Sequence, residues 1–247
     1  MITKKMSFCL LIFSLVLSLV SSLPLAGQDI SKPLDKVILA PTGTPAKPYR
    51  GNYDFPEKRD FFTYNIPVWE KALASYKGKP DIHYLEIGVF EGRSMVWMLE
   101  NILTHPTCRL TGLDIFLDYI RDKGEVIKTR FLNNVKKAGG ADRLTLIVGY
   151  SQVELRKLPL ASFDIIYVDG SHAKPDVLED AVLSWRLLKK GGLMIFDDYP
   201  YETNRGKRDE EWPMPAINAF VLINRPNLDI VSCDYQVIIR KREKPQY

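Results

Sequence analysis

From residue 83 onward, short apolar runs alternate with longer stretches in which apolar residues recur every three or four positions. The first apolar run, Tyr84–Ile87, has the length of a buried strand, and Gly88 follows it directly. After Gly92, the apolar positions take helical spacing. The pattern predicts a strand, a glycine turn and a helix. Such a turn lets a ligand approach the backbone and directs the first helix amides at an anion, although a βα connection without a ligand has the same pattern.

The same alternation continues to the C-terminal end and predicts an α/β sheet. Further strands are expected at 110–113, 144–148, 163–168, 193–196, 228–232 and 235–240, with helices at 124–138, from Ser151, at 176–190 and at 215–224. Pro175 lies near the first turn of the helix at 176–190, and Gly191 is its predicted cap. Repeated strand–helix units predict a mostly parallel sheet with helices on both faces, which binds ligands at the carboxyl ends of its strands.

The N-terminal part has a different pattern. Two lysines precede the nearly unbroken apolar run Phe8–Val20, which is the layout of a secretory signal peptide. Extended through Leu25, the run approaches the length of an uncleaved membrane anchor. Residues 1–27 are therefore predicted to be a signal peptide or an anchor, with membrane attachment through residues 8–25 in the second case. The expected location is the secretory pathway or a membrane, on a side that the flanking charges do not fix.

Residues 28–53 are rich in proline and are predicted to be a linker, with one folded domain at 54–247. Apolar residues between Phe61 and Tyr76 predict one or two amphipathic helices at the start of that domain. The formal net charge of +4 is small for 247 residues. A nucleic-acid partner is therefore not expected.

Glycine or polar residues stand at the carboxyl ends of five successive predicted strands: Gly88, Asp114, Gly149–Gln152, Asp169 and Asp197–Asp198. Since these ends meet at one edge of a parallel sheet, they predict a lined binding site. Asp114 ends the strand after the glycine turn, where a carboxylate can accept both hydroxyls of a ribose. An aspartate that only stabilises a turn would stand at the same place.

Three carboxylates, those of Asp169, Asp197 and Asp198, are expected to converge at this edge. Their mutual repulsion makes a shared site costly unless a cation neutralises it. Oxygen ligands of this kind suit Mg²⁺, Mn²⁺ or Ca²⁺. The alternative is structural, with a loop acid at Asp169 and an acid pair that caps a turn before Pro200.

The order of the motifs is similar to that of class I S-adenosylmethionine-dependent methyltransferases. Glu86-x-Gly88-x-x-x-Gly92-x-Ser94 resembles their first motif. Phe163–His172 together with Phe196–Tyr199 resembles the methyltransferase group of family 24, macrocin-type sugar O-methyltransferases and, more distantly, catechol O-methyltransferases. The resemblance implies a Rossmann-like sheet of seven strands in the order 3-2-1-4-5-7-6, and S-adenosylmethionine as cofactor. The cofactor contacts that it implies are Glu86, Gly88, Glu91, Gly92, Ser94, Asp114, Ser151, Gln152 and Asp169.

Two further sets of roles follow from this resemblance. Val148–Gln152 is similar to the adenine-edge motif of catechol-type enzymes, in which the serine and the glutamine contact adenine; Ser151 is alternatively an ordinary helix cap. In metal-dependent members the acids at Asp169, Asp197 and Asp198 hold the metal, which is expected to be Mg²⁺ or another divalent cation.

Three positions depart from the family pattern. Ser171 replaces the acid proposed as base in the sugar enzymes, and Tyr150 replaces an acid that many relatives carry. His172 stands where catechol-type enzymes have a lysine. Because histidine titrates near neutral pH, His172 is a candidate general base, with Asp169 as the second catalytic candidate, or else it is a loop histidine.

The predicted function is methyl transfer from S-adenosylmethionine to a hydroxyl of a small molecule, either a phenol, a catechol or a sugar, assisted by a divalent metal. One alternative is a metal-independent enzyme in which His172 is the base. The other is an exported, non-catalytic domain, because S-adenosylmethionine is made in the cytosol whereas the leader predicts export.

Two smaller predictions concern the lid and the thiols. Tyr199, Tyr201 and Trp212, with the loop 201–214, are expected to form a lid over the site. Cys108 and Cys233 are expected to be free, because the implied strand order puts them on opposite sides of the centre of the sheet, too far apart for a disulfide.

Overall fold

The computed structural model describes Leu34, Tyr49 and residues 51–56, 59–200 and 212–244, which build a seven-stranded sheet with helices on both faces. The strands are β1 (His83–Ile87), β2 (Arg109–Asp114), β3 (Leu144–Val148), β4 (Phe163–Val168), β5 (Leu188–Phe196), β6 (Leu228–Cys233) and β7 (Val237–Lys241). Their order, β3-β2-β1-β4-β5-β7-β6, confirms the predicted fold and strand order. Strands β1 to β5 are parallel, and β7 is antiparallel to both of its neighbours.

The α-helices in the described part of the chain are α1 (Ile66–Ala72), α2 (Arg93–Asn101), α3 (Gly124–Lys137), α4 (Ser151–Glu154), α5 (Lys174–Leu187) and α6 (Pro213–Asn224). Single 3-10 turns lie at Thr63–Asn65, Ala74–Tyr76, Ala141–Arg143, Leu155–Lys157 and Arg225–Asn227. Helix α1 and its two flanking 3-10 turns correspond to the amphipathic helices predicted after Phe61.

The core lies on both faces of the sheet, and β1 shows why. Successive strand residues point to opposite faces. Leu85 and Ile87 accordingly belong to the buried cluster that includes residues of α5 and α6, whereas Tyr84 belongs to the cluster on the other face, with Trp69 of α1 and Phe131 of α3. The sheet is thus held between two apolar layers, and the carboxyl ends of its parallel strands meet at one edge.

The predicted end of the helix at 176–190 is wrong. Helix α5 ends at Leu187, and β5 begins with the next residue, so that Gly191 lies inside the strand and caps no helix. The reason is strand pairing: Leu188 pairs with Phe163 of β4, and the register then shifts before the main part of the ladder. This tertiary pairing overrides the local signal of two lysines followed by glycine.

Parts of the predicted linker contact the domain. Leu34 is buried, and its backbone N–H donates to the Tyr199 hydroxyl at 2.6 Å. The hydroxyls of Tyr49 and Tyr53 both donate to the carboxylate of Glu100. The predicted leader at 1–27 and most of the predicted linker lie outside the described residues. Within the described ranges, no helix is long and apolar enough to cross a membrane.

Cys108 and Cys233 are buried free thiols, which confirms the prediction. Cys108 directly precedes β2 and Cys233 ends β6, and four strands separate β2 from β6 in the sheet. Since neighbouring strands are about 4.8 Å apart, the two thiols are far beyond the reach of a disulfide.

Candidate active site

A cavity of about 670 Å³ opens at the carboxyl ends of the parallel strands. It gathers the predicted site residues from five strand ends, with Glu86 as the exception. The predicted residues that line it are Gly88, Glu91, Gly92, Ser94, Asp114, Ser151, Gln152, Asp169, His172, Asp197 and Asp198. The sheet order therefore brings together residues that lie far apart in the sequence.

Glu86 lies behind the cavity wall, which does not fit its predicted contact with a cofactor. Its side chain is fully buried, and its carboxylate accepts hydrogen bonds from the Ser94 hydroxyl and from the Tyr84 hydroxyl, the latter at 2.8 Å. Burial raises the pKa of Glu86 to about 8. Glu86 therefore acts on the cavity through Ser94, which it holds in place.

The glycine turn is shaped by close backbone approach. Gly88 has φ +85°, and a Cβ there would lie 1.9 Å from the carbonyl oxygen of Asp169, so that a larger residue cannot fit between the ends of β1 and β4. Gly92 has φ +83° and is the N-cap of α2, where no side chain caps the helix. Backbone amides at this end of α2 thus have no side-chain acceptor in the capping position.

Asp114 stabilises the turn and also lines the cavity. Its two carboxylate oxygens accept the backbone amides of Phe90, at 2.9 Å, and Phe116, at 2.6 Å, which ties the glycine turn to the loop after β2. The same carboxylate lines the cavity. Each carboxylate oxygen has a second lone-pair site, so the turn role does not prevent hydrogen bonds to a ligand.

Ser151 is not the helix cap that one interpretation predicted. It is the first residue of α4, Tyr150 is the N-cap, and that cap makes no side-chain hydrogen bond. The Ser151 side chain is close enough to Asp180 of α5 to lower the pKa of that acid, which is buried and which the sequence motifs did not indicate. Ser151 and Gln152 both line the cavity on the side of β3.

The acids after β4 and β5 form a compact group with a histidine. Oxygens of Asp169 and Asp198 and a ring nitrogen of His172 lie within 4.8 Å of one another, a spacing that can hold a metal ion. His172 Nε2 is 2.8 Å from Asp198 Oδ2. The third candidate ligand in this group is therefore His172, whereas Asp197 had been predicted.

Asp197 is turned into the protein by two donors. Its Oδ2 accepts the Tyr167 hydroxyl at 2.6 Å, and its Oδ1 accepts the side-chain amide of Gln236 at 2.8 Å. Trp69 Nε1 in turn donates to Gln236 Oε1 at 2.7 Å, which fixes the amide orientation. Burial and the neighbouring Asp198 raise the pKa of Asp197 to about 6. Both Asp197 oxygens are therefore engaged by protein donors. The candidate ligand set contains two of the three predicted acids, Asp169 and Asp198.

The charges in this group are unevenly distributed. Burial and the carboxylates of Asp197 and Asp198 raise the pKa of Asp169 well above its usual range. Burial also acts on Asp198, but hydrogen bonds from His172 and Tyr235 outweigh it and lower the pKa of Asp198. Asp198 is therefore the acid that stays charged, whereas a charged Asp169 needs a cation nearby.

Several residues at this site had not been predicted. Tyr167 bridges two of the acids, Tyr235 and Gln236 reach them from the turn after β6, and Arg59 and Tyr64 line the cavity from the segment before α1. Tyr167 had a local signal, because it stands two positions before Asp169 and therefore on the same face of β4.

The predicted lid is wrong at Tyr199. This side chain is 2% exposed, and its hydroxyl donates to Asn218 Oδ1 at 2.9 Å, so that it belongs to the core beside α6. Trp212 is partly buried and packs against the same apolar cluster. The remainder of the proposed lid, 201–211, lies outside the described residues.

Comparison with known proteins agrees with this architecture. Residues 85–199, slightly less than half of the chain, match the family model described as "Methyltransferase domain". An uncharacterized protein, R132, of Acanthamoeba polyphaga mimivirus is 33% identical over 157 residues, covering 60% of this chain and 63% of the relative. A catechol O-methyltransferase of Mycobacterium tuberculosis is 28% identical over 116 residues, covering 46% of each.

The chain therefore spans less than two thirds of the length of either curated relative. Among solved structures, the cofactor-bound protein Rv0187 from MTB superposes with a TM-score of 0.56 at 21% identity, over 77% of this chain and 85% of that one. That likeness supports the fold. The stretch from residue 85 to residue 199 is similar to the methyltransferase domain that this family model describes.

Proposed function

We propose that this protein transfers a methyl group from S-adenosylmethionine to a hydroxyl of a small molecule. The observation that carries the proposal is that one cavity contains both the glycine turn with Asp114 and the group Asp169, His172 and Asp198. The first half suits a nucleoside cofactor, and the second half suits activation of a hydroxyl. The catechol O-methyltransferase similarity supports the same reaction class.

The residues around the glycine turn fit the cofactor. Gly88 and Gly92 both line the cavity, so a ligand can lie against the backbone of the turn. The space that a side chain would need is taken by protein atoms, the Asp169 backbone at Gly88 and the Phe131 ring at Gly92. In the proposed complex, the amides that begin α2 face the methionine carboxylate, Asp114 accepts the ribose hydroxyls, and Ser151 with Gln152 contacts the adenine edge. Glu91, within the turn, keeps its ion pairs with Arg59 and Arg130 and so stabilises the conformation of the turn.

The residues after β4 and β5 also fit a divalent cation. Asp169, His172 and Asp198 are the candidate ligands, and the raised pKa of Asp169 marks a carboxylate that a cation would stabilise. A mixed oxygen and nitrogen set suits Mn²⁺ at least as well as Mg²⁺. When bound, such an ion would lower the pKa of the acceptor hydroxyl. Asp197 keeps the ligands in place through Tyr167.

A metal-independent reaction is the second candidate, and the His172–Asp198 contact of 2.8 Å favours it. A carboxylate can only accept, so Nε2 of the imidazole carries the hydrogen in this contact. Nδ1 is then the atom that takes the proton from the acceptor hydroxyl, and charged Asp198 stabilises the resulting imidazolium. In either version the oxygen–carbon bond forms as the sulfur–carbon bond breaks, and positioning of the two partners supplies much of the rate.

The test is a methyl-transfer assay with methyl-labelled S-adenosylmethionine and a panel of catechols, other phenols and sugars. We expect transfer to at least one acceptor class, and a large loss of turnover in Asp169→Asn compared with the exposed control Asp142→Asn. Loss of activity with EDTA that Mn²⁺ or Mg²⁺ restores would support the metal-assisted reaction. Full activity in EDTA would support the metal-independent reaction with His172 as the base. No transfer from folded, cofactor-binding protein to any acceptor would contradict the proposal.

A further inference from the structure

The turn between β6 and β7, residues 234–236, lies at the same edge of the sheet as the candidate active site. Because β7 is antiparallel to both β5 and β6, the carboxyl ends of β5 and β6 point the same way. Two neighbouring side chains of this turn reach the acid pair that follows β5. The Tyr235 hydroxyl donates to Asp198 Oδ1, and the Gln236 amide donates to Asp197 Oδ1 at 2.8 Å.

Tyr235 is itself fixed by its surroundings. Its carbonyl oxygen accepts the backbone N–H of Tyr199 at 3.0 Å, which ties the turn to the residue that follows Asp198. Its ring meets the Tyr64 ring edge to face, with centroids 5.0 Å apart and 84° between the planes. The Tyr235 hydroxyl therefore has a fixed position relative to Asp198.

Asp198 is a residue whose conformation needs support. Its φ of +51° lies in the left-handed region, which is unfavourable for a non-glycine residue unless the surrounding contacts hold it there. Its carboxylate stands between two donors, with Tyr235 at Oδ1 and His172 at Oδ2. Because Tyr235 occupies one oxygen, the carboxylate cannot rotate freely, and the other oxygen stays directed at His172.

We infer that Tyr235 is a positioning residue of this site: its hydroxyl fixes the Asp198 carboxylate, which in turn orients the His172 imidazole toward the acceptor. The catalytic consequence rests on the proposed function. Tyr64 lines the cavity beside Tyr235, and its side chain is 49% exposed. If Tyr235 served only to pack the turn, its ring would matter and its hydroxyl would not.

The test compares Tyr235→Phe with the matched control Tyr76→Phe in the full chain. Both changes keep the ring and remove one hydroxyl. In the control, the hydroxyl that is removed donates to the carbonyl of Gly191 at 3.2 Å, and Tyr76 does not line the cavity. The chain has three histidines, so imidazoles labelled with nitrogen-15 give a simple NMR spectrum. His172 is assigned by its disappearance in His172→Gln.

We expect Tyr235→Phe to shift the His172 ring nitrogen resonances by several parts per million, since the contact with Asp198 loses its fixed geometry. We also expect kcat to fall about 10- to 100-fold, the usual loss when an outer hydrogen-bond partner is removed, with KM for S-adenosylmethionine changed less than about twofold. Tyr76→Phe should change none of these quantities.

Unchanged His172 resonances in Tyr235→Phe would overturn the inference, whatever the activity. Shifted resonances with an unchanged kcat would overturn the catalytic part of it. Failure of the proposed function is a separate result: a wild-type chain that methylates no acceptor would refute methyl transfer, while the NMR comparison would still decide whether Tyr235 fixes the Asp198–His172 pair.

Discussion

At the scale of single residues, Asp180 has an effect that its place in the sequence does not suggest. It is 1% exposed, and its Oδ1 has no hydrogen-bond partner among the residues that the structure describes. Burial, with the nearby charges of Asp176 and Glu179, raises its pKa from 3.8 to about 7, although the nearby Ser151 side chain opposes the shift. A raised acid pKa means that the folded chain binds this proton more tightly than the unfolded chain. The stability it contributes is therefore fully present below about pH 4 and is lost as the pH rises toward 7.

This sign gives a prediction for Asp180→Asn. The amide does not ionise, so the variant does not lose this stability as the pH rises. From pH 5 to pH 8, the free energy of unfolding of the variant minus that of the wild type should therefore increase by on the order of 2–4 kcal/mol. Urea unfolding at the two pH values measures the difference. Asp142→Asn, at an exposed position, is the control and should follow the wild type. Parallel curves for Asp180→Asn and wild type would show that Asp180 does not carry a raised pKa.

The positions of site residues were predictable where a local sequence motif indicated them. Gly88, Asp114 and Asp169 could be placed at the cavity because each directly ends a recognisable strand. Tyr235 and Gln236 could not be assigned, although the implied strand order puts their turn at the right edge. Which acid each one reaches depends on the β6–β7 register, which shifts between Ile230 and Ser232, and no local pattern encodes that shift.

At the scale of elements, most strands and helices could be predicted because apolar periodicity and burial agree along them. The junction of α5 and β5 is the exception, since pairing with β4 extends the strand backward over residues whose local signals favour a helix end. The segment 59–65 before α1 is a second case. The apolar spacing after Phe61 predicted the helical turns, but no local pattern predicted that Arg59 makes polar contacts over long sequence distances.

Those contacts form a cluster of four charged side chains behind the glycine turn. Arg59 lies 3.1 Å from Glu91 and 2.8 Å from Asp122, and Arg130 lies 2.7 Å and 3.0 Å from the same two acids. The Glu91 side chain is only 2% exposed, so it depends on both guanidinium groups for compensation. The cluster joins the segment before α1 to the turn that follows β1.

Arg59→Met tests this connection. Loss of one partner of a buried acid should destabilise the fold by on the order of 1–3 kcal/mol and should weaken S-adenosylmethionine binding about tenfold, because Glu91 belongs to the glycine turn. Thermal unfolding and calorimetry give the two values. Lys157→Met removes a pair with Glu154 in which the lysine side chain is 62% exposed, and should change both little. Wild-type cofactor affinity in Arg59→Met would show that the cluster does not shape the cavity.

At the scale of the whole molecule, the fold and the predicted leader suggest different cellular locations. The domain has the architecture of enzymes that use a cofactor made in the cytosol, whereas residues 1–27 are predicted to lead the chain into or across a membrane. The leader stays a prediction because it lies outside the described residues. Cofactor binding is therefore the property that separates an enzyme from an exported domain that has kept the fold without the activity.

A calorimetric titration of S-adenosylmethionine into the full chain, with Mg²⁺ present, tests this central claim most directly. The site described above predicts one binding site with a micromolar dissociation constant. Affinity should be lower at least about tenfold in Asp114→Ala, which would lose the two charge-assisted hydrogen bonds to the ribose in the proposed complex, and unchanged in Asp142→Asn. No binding heat from wild-type protein shown to be folded would contradict the account and would favour the non-catalytic exported domain.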